Sequence, residues 1–218
     1  SWILFYCLIL WDAAVNGAGI IWMFSLADIV FSFFSLAIVQ GVNKKMLVTW
    51  LATLLGVFVS FALCYAVIKL TGETYLNYEM GDYATQDTRG IFMAQALLGV
   101  LGAVMDEATD IVSSLYELIQ HKPEITVKEL LASGRTMGQE IMGPLINVLV
   151  LIFISEALPE TILYFRDNNT IATTFNFTMS LGATQSAVSA IGIVLTIVFA
   201  SLCSLLFLKK PQKGGKQE

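Results

Sequence analysis

The chain has 218 residues, of which 56% are hydrophobic and only 13% charged, and its mean hydropathy is +0.74. Soluble domains carry about 25% charged residues, so a water-soluble enzyme or binding module is excluded. The formal charge is −5, with no basic run except 209–216, which excludes a nucleic-acid-binding face.

The apolar residues come in long blocks, the pattern of an all-α polytopic transmembrane bundle, where one crossing takes about 20 mostly apolar residues. In chain order, 1–11 is too short to cross alone and reads as the end of a first span. A second span is expected at 17–40, interrupted by Asp28, and a third at 46–70, free of charge as far as Ile68. The fourth is expected at 89–120, the fifth at 138–158 and the sixth at 182–208, making 1–208 a single membrane domain of about six spans. Residues 171–181, rich in Thr and Asn, read as an interfacial or re-entrant piece, and the 121–137 loop leaves room for a short amphipathic helix at 126–131. Residues 209–218 form a basic tail.

Orientation follows from the excess of Lys and Arg in cytoplasmic loops. Lys44 and Lys45, then Lys122, Lys128 and Arg135, then Lys209, Lys210, Lys213 and Lys216 fall on one side if six spans alternate, nine of the twelve basic residues. Both termini are therefore expected in the cytoplasm. Cys7, Cys64 and Cys203 lie singly in apolar blocks and His121 has no ligand-spaced neighbour, so no disulfide framework, metal or cofactor is expected.

Polar residues within the spans form stripes. On the fourth, Gln95, Gly99, Gly102, Asp106, Asp110, Ser113 and Glu117 recur at steps of four, three, four, four, three and four, which is one face of an α-helix. The fifth has Thr136, Glu140, Gly143 and Asn147, with Pro144 loosening the backbone ladder. Gly99, Gly102, Gly143 and Pro144 are expected at helix contacts. Ser25, Asp28, Ser32 and Ser35 share a face of the second span; Thr53, Gly56, Ser60 and Cys64 line the third, and Gly182, Gln185, Ser189, Gly192 and Thr196 the sixth, as small-residue packing faces. A charged group at the bilayer centre costs roughly 2.5–3.5 kcal/mol or more. Asp28 and Asp106 have no basic partner in their own spans, so each is expected to meet a polar neighbour, a water cavity or a proton, with Asp106 turned inward against the fifth span.

The segment Gly102-Ala103-Val104-Met105-Asp106, continuing to Ser113-Ser114 and Glu117, resembles the signature of the YibE/F-like membrane proteins of bacteria. So do Ser133-Gly134, Met137-Gly138, Glu140-Ile141-Met142-Gly143 and Asn147, although Glu140 stands where that family more often has Asp and Pro144 where it has Thr. The resemblance implies a bacterial cytoplasmic-membrane protein of the YibF-like kind, paired with a YibE-like partner or with a second copy of itself. The layout also resembles the membrane half of SecF and RND-type transporters, in which acids on the fourth span couple proton movement to conformational change.

The leading expectation is thus a transporter subunit, proton-coupled through Asp28, Gln95, Asp106, Asp110, Glu140 and Asn147. The alternative is a non-catalytic scaffold subunit. An intramembrane aspartyl protease is disfavoured because Asp106 lies in Ala-Val-Met-Asp, not in a GxGD context, and no other catalytic constellation appears, so the chain is not read as an enzyme.

Overall fold

The computed structural model describes residues 20–71 and 88–207, and every described element is helical. The expected partial span at 1–11 and the tail 209–218 lie outside the described residues. Helices α1 (Ile20–Gln40) and α2 (Lys44–Thr71) are followed by α3 (Thr88–His121) and α4 (Val127–Arg166). A single α turn, α5 (Ile171–Thr174), then leads through a π-helical turn (Phe175–Met179) into α6 (Ser180–Phe207).

Local chemistry sets the boundaries. Gly41, at φ +72°, ends α1, and its N–H donates to the Ala37 carbonyl at 3.0 Å, a left-handed C-terminal stop that suits glycine. Thr126 opens α4 with a capping box: its hydroxyl accepts the Glu129 N–H at 3.3 Å, and the Glu129 carboxylate accepts the Thr126 N–H at 3.0 Å. Nothing interrupts the helix after that cap, and Pro144 and Pro159 are both accommodated inside it. The amphipathic segment expected at 126–131 is therefore the first turn of α4 itself, whose 40 residues make it about 60 Å long.

The piece at 171–181 is not re-entrant; it runs straight into α6. Thr170 caps it by accepting the Thr173 N–H. Thr174, Thr178, Ser180 and Thr184 each donate to the carbonyl four residues back, at 2.7–3.0 Å, so their hydroxyls are satisfied within the helix. A segment polar by composition is thus compatible with continuous helix.

Helix α3 occupies the centre of the helix contacts. Helix α3 packs against α1, α2, α4 and α6 through Leu97, Val100, Val104, Ala108, Ile111 and Leu115. Close approach comes from the expected small-residue faces: Thr53, Gly56, Ser60 and Cys64 of α2 are all buried, as are Ser189, Gly192 and Thr196 of α6. A Cβ on Gly192 would stand 2.9 Å from Val100 and 3.0 Å from Val104, and one on Gly56 would stand 2.9 Å from Val104. At the end of the bundle bearing Lys44 and Lys45, the Gln40 side chain donates to the Thr109 hydroxyl at 3.3 Å and accepts from Thr49 at 3.5 Å, joining α1, α2 and α3.

Four of the described helices are long and apolar enough to cross a membrane: Ile21–Gln40, Lys44–Leu70, Val127–Arg166 and Ile171–Phe207. The expected six is thus met by four among the described residues. Helix α3, which carries Asp106, Glu107, Asp110 and Glu117 in its second half, is not among these four, and the first expected span is outside the described residues.

Candidate functional site: two enclosed carboxyls and a polar cavity

Helix α3 turns its bulky apolar stripe inward, and its polar stripe therefore lies on the outer surface. Gln95, Gly102, Asp106, Asp110 and Glu117 are all exposed. This corrects the expectation for Asp106, which is not enclosed against the following span. The enclosed acid is its neighbour Glu107, only 1% exposed, which sits on the flank of the buried stripe between Val104 and Ile111, with Asp110 one turn on. Its side chain falls outside the four-and-three polar periodicity, so sequence reasoning passed over it; the usable signal was its position one turn from Val104 and Ile111 in the apolar stripe.

Asp28 on α1 is also fully buried. One turn further on, Ser32 accepts a hydrogen bond from the Trp50 indole at 3.1 Å, and the ring of Trp50 lies edge-on to Phe33 with centroids 5.4 Å apart. Neither oxygen of Asp28 and neither oxygen of Glu107 has a hydrogen-bond partner among the described residues. An isolated charge so enclosed is strongly unfavourable, whereas a carboxyl that has taken up a proton is far cheaper to enclose.

The second stripe also faces outward: Glu140, Gly143, Pro144 and Asn147 of α4 are exposed. Of Gly99, Gly102 and Gly143, only Gly99 makes a contact, with a Cβ there standing 2.5 Å from the Gln185 amide nitrogen. Gly102 and Gly143 have nothing within 4 Å of such a Cβ, so they are not packing residues within this chain. The close α4–α6 contacts come instead from Gly134, which faces Ser201, and Gly138, where a Cβ would stand 2.6 Å from Ile197.

At the end of the bundle away from Lys44 and Lys45, the start of α3, the far part of α4 and the start of α6 line an open cavity of about 200 Å³. Gln95, Gln185, Glu156, Glu160 and Thr178 supply its polar lining. Phe153 forms part of the wall and presses on Gly182, where a Cβ would stand 2.7 Å from the ring. Thr178 comes from the π-helical turn, a backbone irregularity that recurs at functional sites. Gln95 and Gln185 were expected on polar faces; Glu156, near the end of the stretch read as the fifth span, and Glu160, just beyond it, were missed, since neither continues the stripe from Thr136 to Asn147.

A bundle of long apolar helices with enclosed acids places the chain among helical membrane proteins. Residues 1–210 match the family model for YibE/F-like protein, and the chain belongs to that family. Neither a curated protein nor a solved structure matches it.

Proposed function

We propose that the chain is a subunit of a membrane transporter whose conformational change is coupled to proton uptake and release at Asp28 and Glu107. The observation that carries this reading is the pair of enclosed carboxyls without partners on two different helices. Membrane proteins keep acids in such positions at a cost of several kcal/mol, and the usual return is a proton relay or a substrate path. A protonated carboxyl is compatible with the apolar packing around α3, while a charged one favours an arrangement that admits water or a polar group. Proton occupancy therefore biases two packings of the same helices. Asp106 and Asp110, exposed and within one turn of Glu107, serve as the surface station of this relay.

In this reading the Lys44 and Lys45 end faces the cytoplasm of a bacterial cell, in line with the charge bias, and α3 crosses the bilayer with its apolar stripe against its neighbours and its acidic stripe outward. The outward acids on α3 and α4, together with Gly102 and Gly143, favour assembly with another membrane chain, either a YibE-like partner or a second copy. Such assembly is also what a purely scaffolding subunit would need. The SecF-like or RND-like layout belongs to the same proposal.

The test is restoration of the wild-type phenotype to a deletion strain by Asp28→Asn and Glu107→Gln, with membrane abundance checked alongside. Loss of function at normal abundance is expected from both. Full function in both variants removes proton coupling, and an intact complex with no change in flux would leave the scaffold.

A further inference from the structure

We infer that the cavity between α3, α4 and α6 binds a small organic ammonium ion. The lining has two glutamates, two primary amides, one hydroxyl and phenyl rings, and none of its side chains is basic. Glu156 and Glu160 are four residues apart, so both carboxyls lie on one face of α4, the face that carries Phe153 and Ala157 into the cavity wall. Two exposed carboxylates on one wall, with no basic side chain in the lining, give this cavity a net negative charge that favours a cation.

The volume is built as well as lined. The Gln185 side chain lies on the bare backbone of Gly99, and the Phe153 ring lies on that of Gly182, so both walls are set by glycines where a side chain would intrude. The π-helical turn brings Thr178 to the same space. About 200 Å³ is too large for a bare ion and suits a molecule of several heavy atoms. Phe92 and Phe153 add the aromatic surface that attracts alkylammonium groups and is poorly suited to a hydrated metal ion. Among the described residues no three His, Cys, Asp or Glu side chains converge as a metal cage would need. The amides and the hydroxyl accept hydrogen bonds from an N–H or hydroxyl on the ligand.

The inference deepens the transporter reading by naming the class of its cargo and rests on it for that step alone, since binding is measurable without transport. The experiment is calorimetric titration of the purified full chain in detergent with tetramethylammonium chloride, at ionic strength held constant with sodium chloride. Saturable binding is expected. Glu156→Gln and Glu160→Gln should each weaken it about tenfold, the scale on which hydrogen bonds and contacts to charged groups act, and the double variant should abolish it. Phe153→Leu, which leaves the charge unchanged, should weaken it as well, so the test survives a double variant that does not fold. Glu117→Gln, an exposed acid at the other end of α3, should bind as the wild type does. Absence of saturable binding by the wild type, equal competition by sodium, or undiminished binding by the double variant would overturn the proposal.

Discussion

Asp28 and Glu107 are the two acids in the described chain that are enclosed; the others there, from Asp106 to Asp167, are exposed. An enclosed polar group without a partner costs about 1–3 kcal/mol of stability, so an apolar replacement of similar size should stabilise the fold while removing function. Asp28→Leu and Glu107→Met are expected to unfold later than the wild type in a denaturant titration in detergent, each by roughly that margin. A large loss of stability would instead reveal a stabilising partner for the carboxyl. Asp28 was legible from sequence because a single acid in an otherwise apolar helix has few ways to be accommodated. Glu107 was not, because four acids within one helix offer the reader a periodic set and an outlier. The set went to the surface, since the bulkier stripe from Leu97 to Leu115 gains more by burial.

Helix contacts divide the glycines into two kinds, and mutagenesis should divide them the same way. Gly192→Ala should cost about 1–3 kcal/mol by forcing Val100 and Val104 apart. Gly102→Ala and Gly143→Ala meet nothing and should be neutral or stabilising by up to about 1 kcal/mol through helix propensity. Thermal unfolding of the three variants side by side decides this, and an equal loss at all three positions would refute the division. At the start of α4, Thr126→Ala removes one half of the capping box at a cost of about 1 kcal/mol. Faster amide hydrogen exchange confined to residues 127–130 is the expected signature. Apolar runs located α1, α2, α3 and α6 to within a few residues, since long spans leave little freedom in where they begin. Sequence could not show that 126–131 continues into α4 or that 171–181 continues into α6. Both depend on whether a run of polar side chains can satisfy itself along a helix, as the capping box and the hydroxyl-to-carbonyl bonds do here.

For the molecule as a whole, the outer face is the more informative surface. Helix α4 leaves Val148, Leu151, Ile152, Ile154 and Leu158 exposed, as a lipid-facing helix does, yet Glu140 and Asn147 lie on the same helix and Asp106 and Asp110 on its neighbour. Acids cost too much in contact with lipid, and their cover is expected to be another membrane chain. A photo-crosslinking residue at position 147 should yield a higher-mass adduct from native membranes, while the same residue at the buried position 193 should not. Failure at 147 would remove the assembly proposal and leave water as the only cover. Family membership was readable from the glycine-and-acid motifs around Asp106 and Gly143, because motifs are local. Their outward direction was not readable, because it depends on which stripes of five helices compete for the centre.

Two prolines, Pro144 and Pro159, interrupt the hydrogen-bond ladder of α4. Pro144 cannot donate to the Glu140 carbonyl, which makes that turn a soft place in the rod. From there to Glu160 the axis runs about 24 Å, so a pivot of about 10° sweeps the far tip by roughly 4 Å. On the proposed transporter reading, an arm of that reach would carry a small rearrangement at the Glu140 turn to the glutamate-lined cavity at its other end.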